Sequence, residues 1–438
     1  MRPATSVIGL ILAAMALIAF AATPVLAQDE QFIPLLVYRT GPYAPNGIPA
    51  ANGYVDYLKL LNARDGGLNG VKITWEECET QYDTKTGVEC YEKLKGNASL
   101  VNPYSTGITY QLIPKAPVDQ VPIHSMGYGR TAAADGRIFK WTFNFPTTYW
   151  SQASAFIKYV GEQEGGMDKL KGKKLALIYH NSPYGKEPIP TLTILADKFG
   201  YDLKLLAVDH PGQEQTATWL QVRRYRPDWI FMWGWGVMNQ VAIKEAAGIN
   251  FPMDHFIGVW WSGSESDVVP AGASAKGYKA GNFHGVGTEF PVHKAILEHV
   301  YKGDEAAAKS HNFGEVLYNR GIMNAVYDTE AIRTAMAKYG NQVMSGEQVR
   351  WGLENLDLTE SRLNELGLEN FTQPIKVTCE DHEGNGPVFI QQWDGEKWGK
   401  ISDWISPMRD VVRPQIEEAA AAFAQENKIT PRDCASEN

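Results

Sequence analysis

One pattern runs through this chain twice: an apolar strand, a polar turn, a helix with an apolar stripe, and then the same again. The first run starts with the apolar Ile33 to Tyr38, passes through TGPYAPNG (Thr40 to Gly47), and enters a stripe of Ala51, Tyr54, Val55, Leu58 and Leu61 at helical spacing. Gly66-Gly67 closes that helix, since glycine takes the left-handed conformation a C-cap needs. Val71, Ile73 and Trp75 alternate with Lys72, Thr74 and Glu76 as a second strand, and Asp83 to Lys95 reads as a second helix. NPYSTG (Asn102 to Gly107), a further helical stretch, SMGYGR (Ser125 to Arg130) and a strand-like Phe139 to Phe145 complete the first run.

The pattern then restarts. Helical Trp150 to Gly161 leads to the strand LALIYH (Leu175 to His180), the turn NSPYG, a helix to Phe199 and the strand Leu203 to Val208. Two more strands, DWIFMWGWG (Asp228 to Gly236) and HFIGVWWSGS (His255 to Ser264), end in turns rich in glycine and tryptophan. Alternating β and α elements predict parallel sheets. With 438 residues the chain exceeds the roughly 250–300 at which a single core stops growing, so the two runs predict two α/β domains.

A formal net charge of -9 gives no basic footprint, so no nucleic-acid partner is expected. Met1-Arg2 precedes an apolar run from Val7 to Ala22, and Val25-Leu26-Ala27 offers a small-residue cleavage site before Gln28. Residues 1–27 are therefore expected to be a secretory signal peptide. The run falls short of the ~18–20 residues that span a bilayer, so the mature chain is expected to be periplasmic and not itself membrane-spanning. Export fits four cysteines paired as two disulfides: Cys78 with Cys90, strand to helix, and Cys379 with Cys434. The rival for Cys379, Asp381 and His382 is metal ligation, but their spacing matches no zinc pattern, so neither a metal nor a cofactor is expected.

The turns NPYSTG and SMGYGR carry the candidate site. Each collects small, hydroxylic and glycine residues behind an apolar run, where hydroxyls and backbone N–H groups can meet a carboxylate. Taken singly, each is also an ordinary strand–helix turn. The nine histidines form no group with a nucleophile or paired carboxylates, so no catalytic residue and no enzyme activity is expected.

The order of TGPYAPNG, NARDGGLNGVKI, ETQYDTKTGVECYEKL, NPYSTG, VPIHSMG, FPTT, YHNSPYGKE and DWIFMWGWG resembles the type I solute-binding proteins of branched-chain amino acid ABC importers, over nearly the whole chain after residue 28. The resemblance implies two Rossmann-like lobes with parallel central sheets, joined by three crossovers near Phe145 to Thr148, Phe283 to Pro291 and Thr372 to Pro387. It places lobe 1 at 28–146 plus 286–374 and lobe 2 at 147–285 plus 375–438. It implies a small-molecule carboxylate or amino acid as ligand and an ABC transporter membrane permease as partner. A ligand-sensing module for a membrane receptor is the other class compatible with such a chain.

Carried over residue by residue, the family's site falls on Ser105 and Thr106, on Ser125, Gly127 and Gly129, and on Tyr184, and Tyr104, Met126, Tyr128 and Tyr149, beside these turns, join the candidates. Tyr43 in the first turn and Trp233 and Trp235 after DWIF extend it. Amino-acid binders of the family place an acidic residue near the end of HFIGVWWSGS to meet the ligand ammonium. This chain has Trp260-Trp261 there, with Glu265 a few residues on. The departure predicts a carboxylate with an apolar or aromatic body, aromatic or aliphatic, in preference to an amino acid or amide.

Overall fold

The structure is a computed structural model that describes residues 30–384 and 386–437; the signal peptide expected at residues 1–27 lies outside them. Strand β1 (Gln31–Val37) pairs in parallel with β2 (Ile73–Glu79), in a register that sets Gln31 beside Ile73. Single bridges tie Leu35 to Asn102 and Val101 to Ile123, so the chain at 101–102 lies between β1 and β3 (Ile123–His124). β3 in turn pairs in parallel with β4 (Thr142–Phe143). The sequence predicts a strand from Phe139 to Phe145, and the structure shortens it to two residues. The Ile138 and Phe139 N–H groups close a turn onto the Asp135 carbonyl, which withdraws them from any ladder.

The second sheet is larger. β5 (Lys174–His180) pairs in parallel with both β6 (Asp202–Val208) and β7 (Trp229–Trp233), and β8 (Phe256–Gly258) and β9 (Lys279–Asn282) extend the sheet beyond β7. β7 is buried along its whole length, as a central parallel strand covered by helices on both faces requires. A small antiparallel pair, β10 (Asp357–Leu358) with β11 (Ile375–Lys376), stands apart. The hairpin of β12 (Phe389–Trp393) and β13 (Trp398–Lys400) then joins the second sheet antiparallel to β9. The chain thus passes between the sheets three times: after Phe143, after Asn282, and before Phe389.

Helix Val316–Tyr339 lies against helix Ala44–Asp65 at close range. A Cβ on Gly53 would sit 1.9 Å from the Tyr318 carbonyl oxygen, and one on Gly321 2.1 Å from that of Ala50, so only glycine permits this approach. The C-terminal helix Arg409–Asn427 touches residues from both runs of the pattern: Val412 and Ile416 pack with Ala134 and Trp150, and Ala420 with Ile113, Ala132 and Phe139. Disulfides join Cys78 to Cys90 and Cys379 to Cys434, and the second pins the chain beyond that helix. Metal ligation at Cys379, Asp381 and His382 is thereby excluded: Cys379 is bridged, Asp381 pairs with Arg409, and His382 Nδ1 meets the Thr142 carbonyl. Among the described residues, no helix is long and apolar enough to cross a membrane.

Candidate functional site

The strands of both sheets run so that their C-terminal ends face one cleft, and a small cavity of about 20 Å³ sits there. Its wall is built almost wholly of residues that follow strand ends, the place where open α/β sheets hold ligands. Tyr38 follows β1, Tyr82 follows β2, and Tyr104, Ser105 and Thr106 follow the bridge at 101–102. Tyr128 follows β3, Tyr149 opens helix Tyr149–Gln163, and Tyr184, Trp235 and Trp261 follow β5, β7 and β8. Eight of the ten residues lining it are Tyr or Trp, and none carries a charge.

Local backbone geometry brings these rings inward at a cost. Tyr82 and Tyr104 adopt φ of 63° and 50°, the left-handed region that bulky side chains avoid. Such strain concentrates at ligand sites, where surrounding contacts hold it in place. Ser105 caps helix Thr106–Leu112 by accepting from the Ile108 N–H at 3.4 Å, which turns its hydroxyl toward the strand end. The rings meet at steep angles: Trp235 and Trp261 at 87°, Tyr38 and Trp235 at 79°, Tyr128 and Trp261 at 73°. Burial, the first cause in each case, holds the phenols of Tyr82, Tyr104, Tyr128, Tyr149 and Tyr184 above their ordinary range, so all stay neutral donors at pH 7. The indole Nε1 of Trp235 is buried and has no acceptor among the described residues.

Charge stands one layer behind this wall. Arg320, fully buried on helix Val316–Tyr339, places its guanidinium 4.9 Å from the Trp261 ring centre and donates to His284 Nε2, the Trp260 carbonyl and Asn282 Oδ1. No carboxylate lies within ion-pairing distance of it among the described residues, and burial brings its pKa down to about 9. One turn on, Asn324 donates to the Tyr104 hydroxyl at 2.7 Å. A further turn on, Asp328 accepts from His124, Tyr54 and Asn102 at 2.7, 2.6 and 2.5 Å.

Contacts across the cleft keep it shut. The Tyr43 hydroxyl lies 2.9 Å from His180 Nε2 and 2.8 Å from His210 Nδ1. Asn46 donates to Asp267 at 3.2 Å, and Glu187 accepts from the Thr131 N–H and hydroxyl and from Tyr110. The Gly127 carbonyl accepts both Trp260 Nε1 at 2.9 Å and Trp261 Nε1 at 3.3 Å. Gly127 has φ of 67°, and a Cβ there would press on Phe283 and Trp260 at 3.2–3.3 Å, so the tight docking depends on glycine.

Of the residues picked from sequence, Tyr104, Ser105, Thr106, Tyr128, Tyr149, Tyr184, Trp235 and Trp261 line the cavity. The others stand outside its wall. Tyr43 belongs to the latch with the two histidines, and Ser125 turns its hydroxyl to Thr109 at 3.0 Å. Met126 and Trp233 are core, while Gly127 and Trp260 form the docking contact. Glu265 is occupied elsewhere: its carboxylate accepts the Val316 N–H at 2.9 Å and caps that helix, so it does not face the cavity. Sequence reasoning missed Tyr38 and Tyr82. Tyr38 closes the first apolar strand of the sequence and Tyr82 lies inside the ETQYDTKTG segment, but each reads as packing until the turn geometry is known.

The sequence profile of the periplasmic binding protein family matches residues 30–398. The chain belongs to that family. It is similar to a structure from the Pseudomonas fluorescens group described as an ABC transporter permease, at 44% identity over 93% of this chain and 100% of that one, with a TM-score of 0.87. It also shares its fold with a Thermus thermophilus branched-chain amino acid ABC transporter protein with bound valine: 21% identity, 88% and 99% coverage, TM-score 0.72. A Rhodopseudomonas palustris solute-binding protein in complex with benzoate is similar at 16% identity, 86% and 97% coverage and TM-score 0.68. A comparison with curated proteins returns no match. As a periplasmic binding protein of this type, the chain is the substrate-binding component of an ABC transporter and binds a small molecule. The family consists of binding proteins, not enzymes.

Proposed function

We propose that this protein is a periplasmic receptor that closes on a small carboxylate, an aromatic or aliphatic acid in preference to an α-amino acid, and delivers it to the permease of an ABC importer. In this reading the lobes are 28–146 plus 286–374 and 147–285 plus 375–438, and a cleavable signal peptide at 1–27 directs export. The observation that carries the ligand class is the composition of the cavity wall. Ser105, Thr106 and the unpaired Trp235 Nε1 are donors for carboxylate oxygens, while no carboxylate stands there to accept from an ammonium. An ammonium desolvated without a partner costs several kcal/mol. The nearest acid that the sequence offered, Glu265, is turned to a helix end. The benzoate held by the Rhodopseudomonas relative supports an acid, and the valine held by the Thermus relative marks the alternative that has to be tested.

Size narrows the class further. As shut here the cavity holds about 20 Å³, far below the ~300–1,000 Å³ of sites for drug-sized ligands, which favours compact acids over long acyl chains. Isothermal titration of benzoate, short branched aliphatic acids, valine and leucine tests the reading. Micromolar binding of an acid with no binding of its α-amino counterpart is expected; tight binding of valine or leucine with no acid binding refutes it.

A further inference from the structure

The walls of the cavity are aromatic, steeply angled and continuous. Tyr38, Trp235, Trp261 and Tyr128 follow one another at 79°, 87° and 73°, so successive rings turn corners instead of stacking flat. Tyr82 leans on Trp235 at 6.4 Å, and Tyr149 and Tyr184 stand 5.5 Å apart on the remaining side. An apolar acid would be served equally well by leucine, isoleucine and methionine, and none of these lines the cavity. Aromatic faces add something that aliphatic walls lack: the negative face of the ring quadrupole, which attracts a cation.

The missing acidic residue restricts which cation fits. A primary ammonium brings N–H donors that need acceptors, and the wall is made mainly of donors. A fully methylated ammonium has no N–H to satisfy, presents only methyl groups, and draws its stabilisation from ring faces. We infer, resting on the carboxylate reading above, that the cavity is an aromatic box for a quaternary ammonium, and that the ligand is a small betaine-type zwitterion whose carboxylate meets the Ser105 and Thr106 hydroxyls.

A matched pair of ligands isolates this charge. Glycine betaine and 3,3-dimethylbutyrate have the same shape and carboxylate and differ by nitrogen against carbon at the centre of the trimethyl group. Isothermal titration of the wild-type protein is expected to give betaine at least about tenfold tighter. In Trp235→Leu the ratio is expected to fall toward one, because loss of the indole N–H strikes both carboxylates alike while loss of the ring face strikes only the cation. Equal or weaker betaine binding in the wild type overturns the inference and leaves the carboxylate receptor standing, since the isostere has bound. A preference unchanged in Trp235→Leu overturns the box as its source. Failure of betaine while benzoate binds overturns the inference alone, whereas failure of every acid overturns the carboxylate reading with it.

Discussion

Lowering the pH from 7 to 5 is expected to remove about 2 kcal/mol of folding stability through His180. Its ring is fully buried, with Nε2 on the Tyr43 hydroxyl and Nδ1 2.7 Å from Ser182 Oγ. Burial, and next the His210 ring 3.9 Å away, push its pKa from 6.5 down to about 3, while Asp209 pulls weakly the other way. The unfolded chain takes up this proton near pH 6.5, and the folded protein refuses it until about 3. Between those values the unfolded state holds more protons, so stability is whole above 6.5 and falls with falling pH at up to 1.36 kcal/mol per unit for this group. Integrated from pH 7 to 5 the loss comes to about 2 kcal/mol. His210 is exposed, so solvent screens its share.

Urea unfolding followed by tryptophan fluorescence at pH 7, 6 and 5, in wild type and in His180→Gln, measures it. The variant loses stability at pH 7 with the latch, so the quantity to compare is the slope against pH. His284 and His293 are also held low by burial, but they titrate in both proteins and cancel in the difference. The wild type is expected to fall about 2 kcal/mol further than the variant between pH 7 and 5. Parallel slopes, within about 0.5 kcal/mol, would refute the argument that this imidazole stays neutral in the fold.

Glu265 titrates with the opposite sign. Burial raises it to about 8, so its contribution is present below 4.5 and lost as pH rises through 8. Glu265→Gln is expected to gain ~1–2 kcal/mol over wild type at pH 8.5 and to show no gain at pH 4, in the same unfolding assay. The disulfide Cys379–Cys434 closes 55 residues, and replacing both cysteines by serine is expected to cost about 2–4 kcal/mol in urea unfolding. Mass spectrometry without reduction should find no free thiol in the wild type. Ser105→Ala and Thr106→Val should each weaken binding of whichever acid the titrations identify by about tenfold, and Ser105→Ala should also cost about 1 kcal/mol in urea unfolding because it removes the helix cap.

The fold was legible because its signal is periodic and long: alternation of strand and helix survives errors at any single boundary. Both disulfides followed from an even cysteine count and from Cys78 closing a strand ahead of a helical Cys90. Eight of the cavity's ten residues were among those picked from sequence. Those missed, Tyr38 and Tyr82, depend on backbone geometry that spacing does not encode: Tyr82 enters the wall because residues 81 and 82 both adopt positive φ. Trp260 and Trp261 are adjacent in sequence, yet only Trp261 reaches the cavity while Trp260 stacks on Tyr149 at 5.6 Å and docks on Gly127. Neighbours along a loop point in different directions, and a residue pattern alone cannot divide them.

The polar seam of helix Val316–Tyr339 was hidden for another reason. Arg320, Asn324 and Asp328 recur every four residues, which on an isolated helix reads as a solvated face. Here all three are buried, because two glycines let the helix press against Ala44–Asp65 and turn that face to the cleft. Setting charges behind the wall has a physical consequence for recognition. A charged group in direct contact with the cavity would have to be desolvated on every closure, whereas Asp328 is already held by Tyr54, Asn102 and His124, all from the same run of the chain. Its partners are fixed in advance, while those of Arg320, the Trp260 carbonyl, Asn282 and His284, come from the other side of the cleft. The carbonyl of Gly127 receives both Trp261, a wall residue, and Trp260, so the cavity wall and the contact that shuts the cleft share one acceptor. Differential contact of this kind is what lets a ligand favour the closed state over the open one.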